Sequence, residues 1–326
     1  MATTTTTPSD IARRLEEREL ARRRPTSLWR DTLGHILRQR SAIAGLAILG
    51  VILLSAVLAD IIAPYDPTVP IRGVEGAARL APPCIHLLGC PESQSQFLMG
   101  IDQNGRDVFS RIVFGARVSL QVGIVTVGMA IVAGTLIGSV AGYVGGWVDN
   151  VLMRVMDVLL AFPALVLAIF LATAFQTLTI PFLGDRLFNA MLAIGIVAIP
   201  IYARVMRASV LSVKERDFVS ASRALGESGA GILMRRILPN ALTPLIVQGT
   251  LGIATAILEV AALSFLGIGA QEPTPEWGSM IGQVRNQMFS APHLVIFPGI
   301  ALALSVLGFN LLGDGLRDAL DPRLNR

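Results

Sequence analysis

Six stretches of this 326-residue chain are apolar for long enough to cross a lipid bilayer, and that constrains its fold more than anything else in it. A helix needs about 20 predominantly apolar residues to span the hydrocarbon core. Residues 41–63, 118–143, 158–175, 190–206, 242–267 and 294–312 meet that need. Only 15% of the residues are charged, against about 25% in soluble domains. The expectation is an all-α integral membrane protein with six transmembrane helices. The third and fourth stretches are bordered by Asp157 and Arg204 and hold Pro163 and Pro200. Membrane helices accept such kinks where neighbouring helices satisfy the freed carbonyls.

Six spans put both termini on one side, and the arginines say which. With cytoplasmic termini, the inner segments carry 20 of the 27 Lys and Arg residues and the outer ones carry 7. Cytoplasmic loops hold the positive excess, so both termini are expected inside. The chain then divides into a cytoplasmic N-terminal tail and surface helix at 1–40 and a first span at 41–63. An extracytoplasmic loop at 64–117 precedes a five-span core at 118–316 with a polar loop at 211–240, and a tail at 317–326 ends the chain. The N-terminal tail opens on a low-complexity MATTTTTPSD and reads as no signal peptide, because its first apolar run begins only near Ser41. Its Arg-rich part, from Ile11 to Arg40, reads as a helix lying on anionic headgroups, or as a solvated charged tail. The arginines flank apolar runs and make no basic face with interleaved aromatics, which argues against a nucleic-acid partner and for membrane lipid.

Several chemistries are excluded. The one lysine, Lys214, stands between Val213 and Glu215, so no G-x-x-x-x-G-K-[ST] phosphate loop exists. His35, His86 and His293 are scattered and form no zinc-protease motif, and no G-x-S-x-G elbow stands out. No catalytic residue, resident metal or cofactor is expected. Cys84 and Cys90 share the outer loop, where a disulfide is open to them. Two free thiols, or a metal site completed by His86, are the alternatives. Gly134, Gly138 and Gly142 make a small-residue row that lets helices approach closely. Glu259 is the clearest charge within a span. It is either a transport-path or proton-relay acid, or one held by a structural hydrogen bond near the outer end of its helix.

The segment 211–240 is too polar to cross a bilayer. Asp217 to Leu225 is helix-compatible with Phe218, Ala221 and Leu225 on one stripe. Gly226 breaks that helix, Ser228 suits the N-cap of a second, and Pro239 suits the first turn of the next span. Two short helices with small side chains on one stripe fit a groove on another protein. An amphipathic connector lying on the membrane is the alternative.

This stretch resembles the coupling loop of ABC importer permeases, E-A-A-x3-G-x9-I-x-L-P. Ala221, Gly226, Leu238 and Pro239 occupy the pattern's positions. Ser220 and Ser222 replace its Glu and second Ala, and Ile237 lies one place late. "MGIDQNGRDVFSRIVFGARVSL" is similar to a block of the peptide/nickel branch, with Asp102, Gly105, Arg106, Asp107, Ser110, Arg111, Gly115, Ala116 and Arg117 in place. "LSFLGIGAQEPTPEWGSMI" and the tail from Phe297 to Arg323 resemble the same branch. The resemblance implies a type I ABC importer permease with a cytoplasmic coupling helix. It also implies Phe218, Ser220, Ala221, Ser222, Ala224, Leu225, Gly226, Glu227, Ser228, Leu238 and Pro239 as the ATPase contact. The implied partners are a second homologous permease, two ATP-binding subunits that hold ATP and Mg, and an extracytoplasmic solute-binding protein. The implied setting is a prokaryotic inner membrane, and the implied cargo is di- or oligopeptides. Nickel, glutathione or another small solute, or a secondary carrier or channel, are the alternatives.

Overall fold

The computed structural model describes residues 39–74, 76–177 and 185–320, so the expected surface helix before Arg40 lies outside the described residues. Helices α1 (Arg40–Val57) and α2 (Val108–Val144) are each long and apolar enough to cross a membrane. So are Arg186–Lys214, Thr243–Phe265 and His293–Leu320. Between these groups α3 (Gly146–Leu160) and α4 (Ala164–Thr177) reach that length only together, and they meet at 94°. The expected kinked span at 158–175 is therefore replaced by two helices bent sharply at Phe162–Pro163, the geometry of a broken span or of a re-entrant loop. Pro163 lacks an N–H and disfavours helical geometry at Phe162, so the chain leaves the helix there. Pro200 behaves differently. It lies buried inside α5 (Arg186–Lys214), which packs against α2 and α4 and carries the helix through.

The second span begins ten residues earlier than the hydropathy suggested. Asp107 is its N-cap, its carboxylate accepting the N–H of Ser110 at 2.7 Å. The loop expected at 64–117 thus ends at Asp107, and residues 108–117 belong to a helix about 55 Å long. The partner of the glycine row lies in the same chain. A Cβ on Gly134 would stand 2.6 Å from that of Tyr202, one on Gly138 would meet the Ala203 carbonyl, and one on Gly142 would sit 3.0 Å from the Arg207 carbonyl. Backbone-to-backbone contact of α2 with α5 supplies the van der Waals packing that holds helices together in lipid.

A short helix, α6 (Asp217–Ala224), comes after α5, and α7 (Thr243–Phe265) then recrosses the bundle against α2 and α5. After it come α8 (Trp277–Gln283) and α9 (His293–Leu320). The last helix packs on α1 and runs past residue 317, where a tail was expected. Lys214 donates to the Tyr143 carbonyl at 2.8 Å and so caps the end of α2. Ion pairs Arg207–Asp149 and Arg204–Asp157, both 2.5 Å, tie α3 to α5.

The block that opens α2 builds the opposite end of the bundle. Asp102 accepts the backbone N–H groups of Asn104 and Arg106 at 2.8 and 2.9 Å and the Arg106 side chain at 2.7 Å. Arg111, 1% exposed, lies 3.5 Å from Asp102 and donates to the carbonyls of Pro67 at 2.9 Å and Pro273 at 3.3 Å. Arg106 and Asn104 reach Glu272 at 3.3 and 2.8 Å. Arg117 donates to the carbonyls of Ala56 and Val57 at the end of α1 and pairs with Asp60, holding that carboxylate below its usual range. Nearby, Glu276 caps α8 by accepting from Gly278 and Ser279, and burial still pushes its carboxyl up. Cys84 and Cys90 are disulfide-bonded around the short turn His86–Leu88, leaving Leu87 and Leu88 exposed.

Candidate functional site: an exposed helix and a bundle cavity

The loop between α5 and α7 is ordered by its own apolar underside. Val219 and Ser222 of α6 turn inward, and Val219 packs with Met206, Val210, Val213, Ile232, Ile237 and Leu245. Phe218, Ser220, Ala221, Ala224 and Leu225 face outward, with Leu225 88% exposed. A helix that buries one face and leaves Phe218 and Leu225 uncovered on the other has a surface shaped for contact. Ser222 is not part of that surface. It is buried, and its hydroxyl donates to the Phe218 carbonyl at 2.9 Å, so position 222 must be small for packing.

The turn after α6 is held by backbone alone. Gly226 has φ of +77°, its N–H donates to Arg223, and the Glu227 N–H reaches back to Ser222 at 3.2 Å. Those two bonds and the left-handed glycine form a Schellman cap. Glu227 is half-buried and accepts from Arg236 at 3.0 Å. Ser228 is exposed, and its side chain accepts the Gly231 N–H at 3.3 Å. A π-helical turn, Ile232–Ile237, leads into the short turn Leu238–Ala241 with Pro239 in its first positions. Pro239 therefore starts this turn and not the next span, which begins at Thr243 with its own Pro244. Leu238 is half-buried under the loop and Pro239 is exposed.

Glu259 belongs to the bundle itself. It is half-buried on α7 and lines a cavity of about 130 Å³ between α2, α5, α7 and the break after α3. Thr126, Tyr202, Gln248 and Thr255 supply its other polar walls, and Phe162 stands at the break. Among the described residues no hydrogen bond or ion pair engages the Glu259 carboxylate. The sequence singled out the acid but missed its cavity. The signal was present as polar positions 248, 255 and 259 on one face of α7, seven and four residues apart. Also among the described residues, no cluster of three or more His, Cys, Asp or Glu side chains could hold a metal ion.

A bundle of membrane-crossing helices with one sharply bent helix pair, a cavity holding an acid within and a short helix presented outside it fits a membrane permease component. The solved structures agree on the fold: the MetNI methionine ABC transporter, in inward-facing conformations, superposes with a TM-score of 0.52 at 18% identity, over 65% of this chain and 97% of that one. Residues 134–326 match the family of binding-protein-dependent transport system inner membrane components, and residues 27–83 match the N-terminal transmembrane domain of oligopeptide transport permease C. The chain belongs to that family of binding-protein-dependent inner membrane components. It is 44% identical to the dipeptide transport system permease protein DppC of Alkalihalophilus pseudofirmus, over 91% of each chain. It is 42% identical to the di/tripeptide transport system permease protein DppC of Pseudomonas aeruginosa, over 87% of this chain and 89% of that one. A glutathione transport system permease protein, GsiD of Pectobacterium atrosepticum, is 40% identical over 91% of each.

Proposed function

We propose that this chain is one permease subunit of an ATP-driven importer of di- and oligopeptides. The observation that carries the reading is the 44% identity to a dipeptide permease along 91% of the chain. The exposed stripe of α6 supports it, because a chain with no phosphate loop must take ATP energy from another subunit. In this reading both termini and α6 are cytoplasmic, as the arginine bias favours. Phe218, Ala221, Ala224 and Leu225 seat α6 in a groove of an ATP-binding subunit, which holds ATP and Mg and does all the hydrolysis. A second permease completes the path, and a solute-binding protein docks on the outer loops near Cys84–Cys90. Closure of the ATPases moves α6, and the bundle alternates between outward and inward access. The kinship with a glutathione permease fits the same class, since glutathione is itself a tripeptide.

Competition uptake tests the cargo. In cells with and without this chain, labelled dipeptide entry is expected to depend on the chain and to be displaced by unlabelled di- and tripeptides, but not by nickel. Nickel uptake that depends on the chain while peptide uptake does not would overturn the peptide reading.

A further inference from the structure

We propose that the cavity under Glu259 binds the primary ammonium group of a substrate in transit, an assignment that rests on the peptide-import reading. Position 259 carries a carboxylate within a membrane-crossing helix, a costly placement when nothing compensates. Among the described residues no cation does so: the cavity lining holds no Lys, Arg or His, and Arg204 and Arg207, on the same helix as Tyr202, pair with Asp157 and Asp149 outside it. A carboxylate left open toward a cavity, with no cationic side chain among the described residues in its lining, suits a cation that arrives and leaves.

A second observation points to the same place. Thr126, fully buried on α2, lines this cavity, and its hydroxyl has no hydrogen-bond partner. A buried polar atom without a partner is expensive unless a ligand or water meets it. The Tyr202 hydroxyl completes the arrangement. It lies against Gly252, where any Cβ would collide with it, so α7 leaves room for that hydroxyl on the cavity wall. One carboxylate and two hydroxyl oxygens provide acceptors for the three N–H bonds of a primary ammonium. The volume, about 130 Å³, holds several water-sized groups, enough for an ammonium and the atoms around its Cα but not for a whole peptide. The chemistry selects a free amino terminus, and an N-acylated chain end lacks the charge that Glu259 would neutralise.

The test uses the complete transporter, with both permeases, both ATPases and the binding protein, in proteoliposomes. The readout is dipeptide moved per ATP hydrolysed. Glu259→Gln is expected to lower that ratio at least about tenfold, the scale for removing one partner of a buried charge pair, while docking-stimulated hydrolysis stays within about twofold of the parent. Thr126→Val, which keeps shape and removes only the hydroxyl, is expected to lower the ratio about threefold, a loss in the range of one hydrogen bond. A Glu259→Gln ratio equal to the parent's overturns the assignment. Should Glu259→Gln fail to assemble, a Thr126→Val ratio equal to the parent's overturns it instead. A parent complex that hydrolyses ATP on docking yet moves no peptide overturns the peptide reading and this assignment together, whereas equal ratios overturn this one alone.

Discussion

Replacing Gly226 with Val is expected to abolish most ATP-driven uptake while leaving the chain inserted and its spans intact. The reason is conformational. Nothing lies within 4 Å of a Cβ built at Gly226, so the new side chain meets open space. Its backbone, however, sits at φ +77°, a conformation costing an L-residue about 1–2 kcal/mol, and a β-branched residue more. Relaxing that strain breaks the two cap hydrogen bonds to Arg223 and Ser222 and swings Leu225 off the exposed stripe. A penalty of about 1.4 kcal/mol already shifts a conformational equilibrium tenfold. Gly226→Asn separates this account from one based on bulk, because Asn tolerates the left-handed region. Uptake by the Asn variant is expected to lie within about threefold of the parent, since it avoids most of that strain of about 1–2 kcal/mol. Uptake assays paired with a membrane-insertion assay decide it, and equal loss in both variants would mean that space and not backbone governs the site.

The second large effect is expected at the other end of the bundle. Arg111→Leu removes a guanidinium that is 1% exposed and bonds the carbonyls of Pro67 and Pro273 while facing Asp102. Breaking a buried ionic group by deleting one partner costs about 3–5 kcal/mol. The loss should appear as a lower unfolding temperature of the detergent-purified chain, accompanied by protease cleavage between residues 64 and 107. Arg111→Lys should rescue little, because a single ammonium cannot serve two carbonyls and a carboxylate in the geometry a guanidinium spans. Unfolding temperatures of both variants equal to the parent's would mean that the loop before α2 is anchored elsewhere.

These residues also mark how far the sequence could be read. The long spans were legible because a bilayer imposes length and apolarity on every crossing helix. The break at Pro163 was not, since Pro163 and Pro200 look alike in hydropathy and only packing separates them: α5 is clasped by α2 and α4, while the chain at Phe162 has no such clasp. The start of α2 was hidden because residues 108–117 carry two arginines and read as loop, although Asp107 with Ser110 is a capping signal that could have placed it. In the polar loop, the helix, the glycine turn and the Ser228 cap could all be anticipated from residue chemistry. Which face α6 buries could not be, because Phe218 and Val219 are both apolar, and the choice depends on where α5 presents Val210 and Val213. The arginine block drew notice only by resemblance, since buried ion networks have no sequence period. Its contacts join residues more than 160 apart in the chain.

The central claim is that ATP energy enters this chain through the exposed face of α6. Purification of the tagged chain from native membranes, compared with a variant carrying Phe218→Asp and Leu225→Asp, tests it most directly. The parent is expected to bring down an ATP-hydrolysing subunit and the variant to lose it, with the second permease retained in both. Equal ATPase recovery from parent and variant, or none from the parent, would contradict the account.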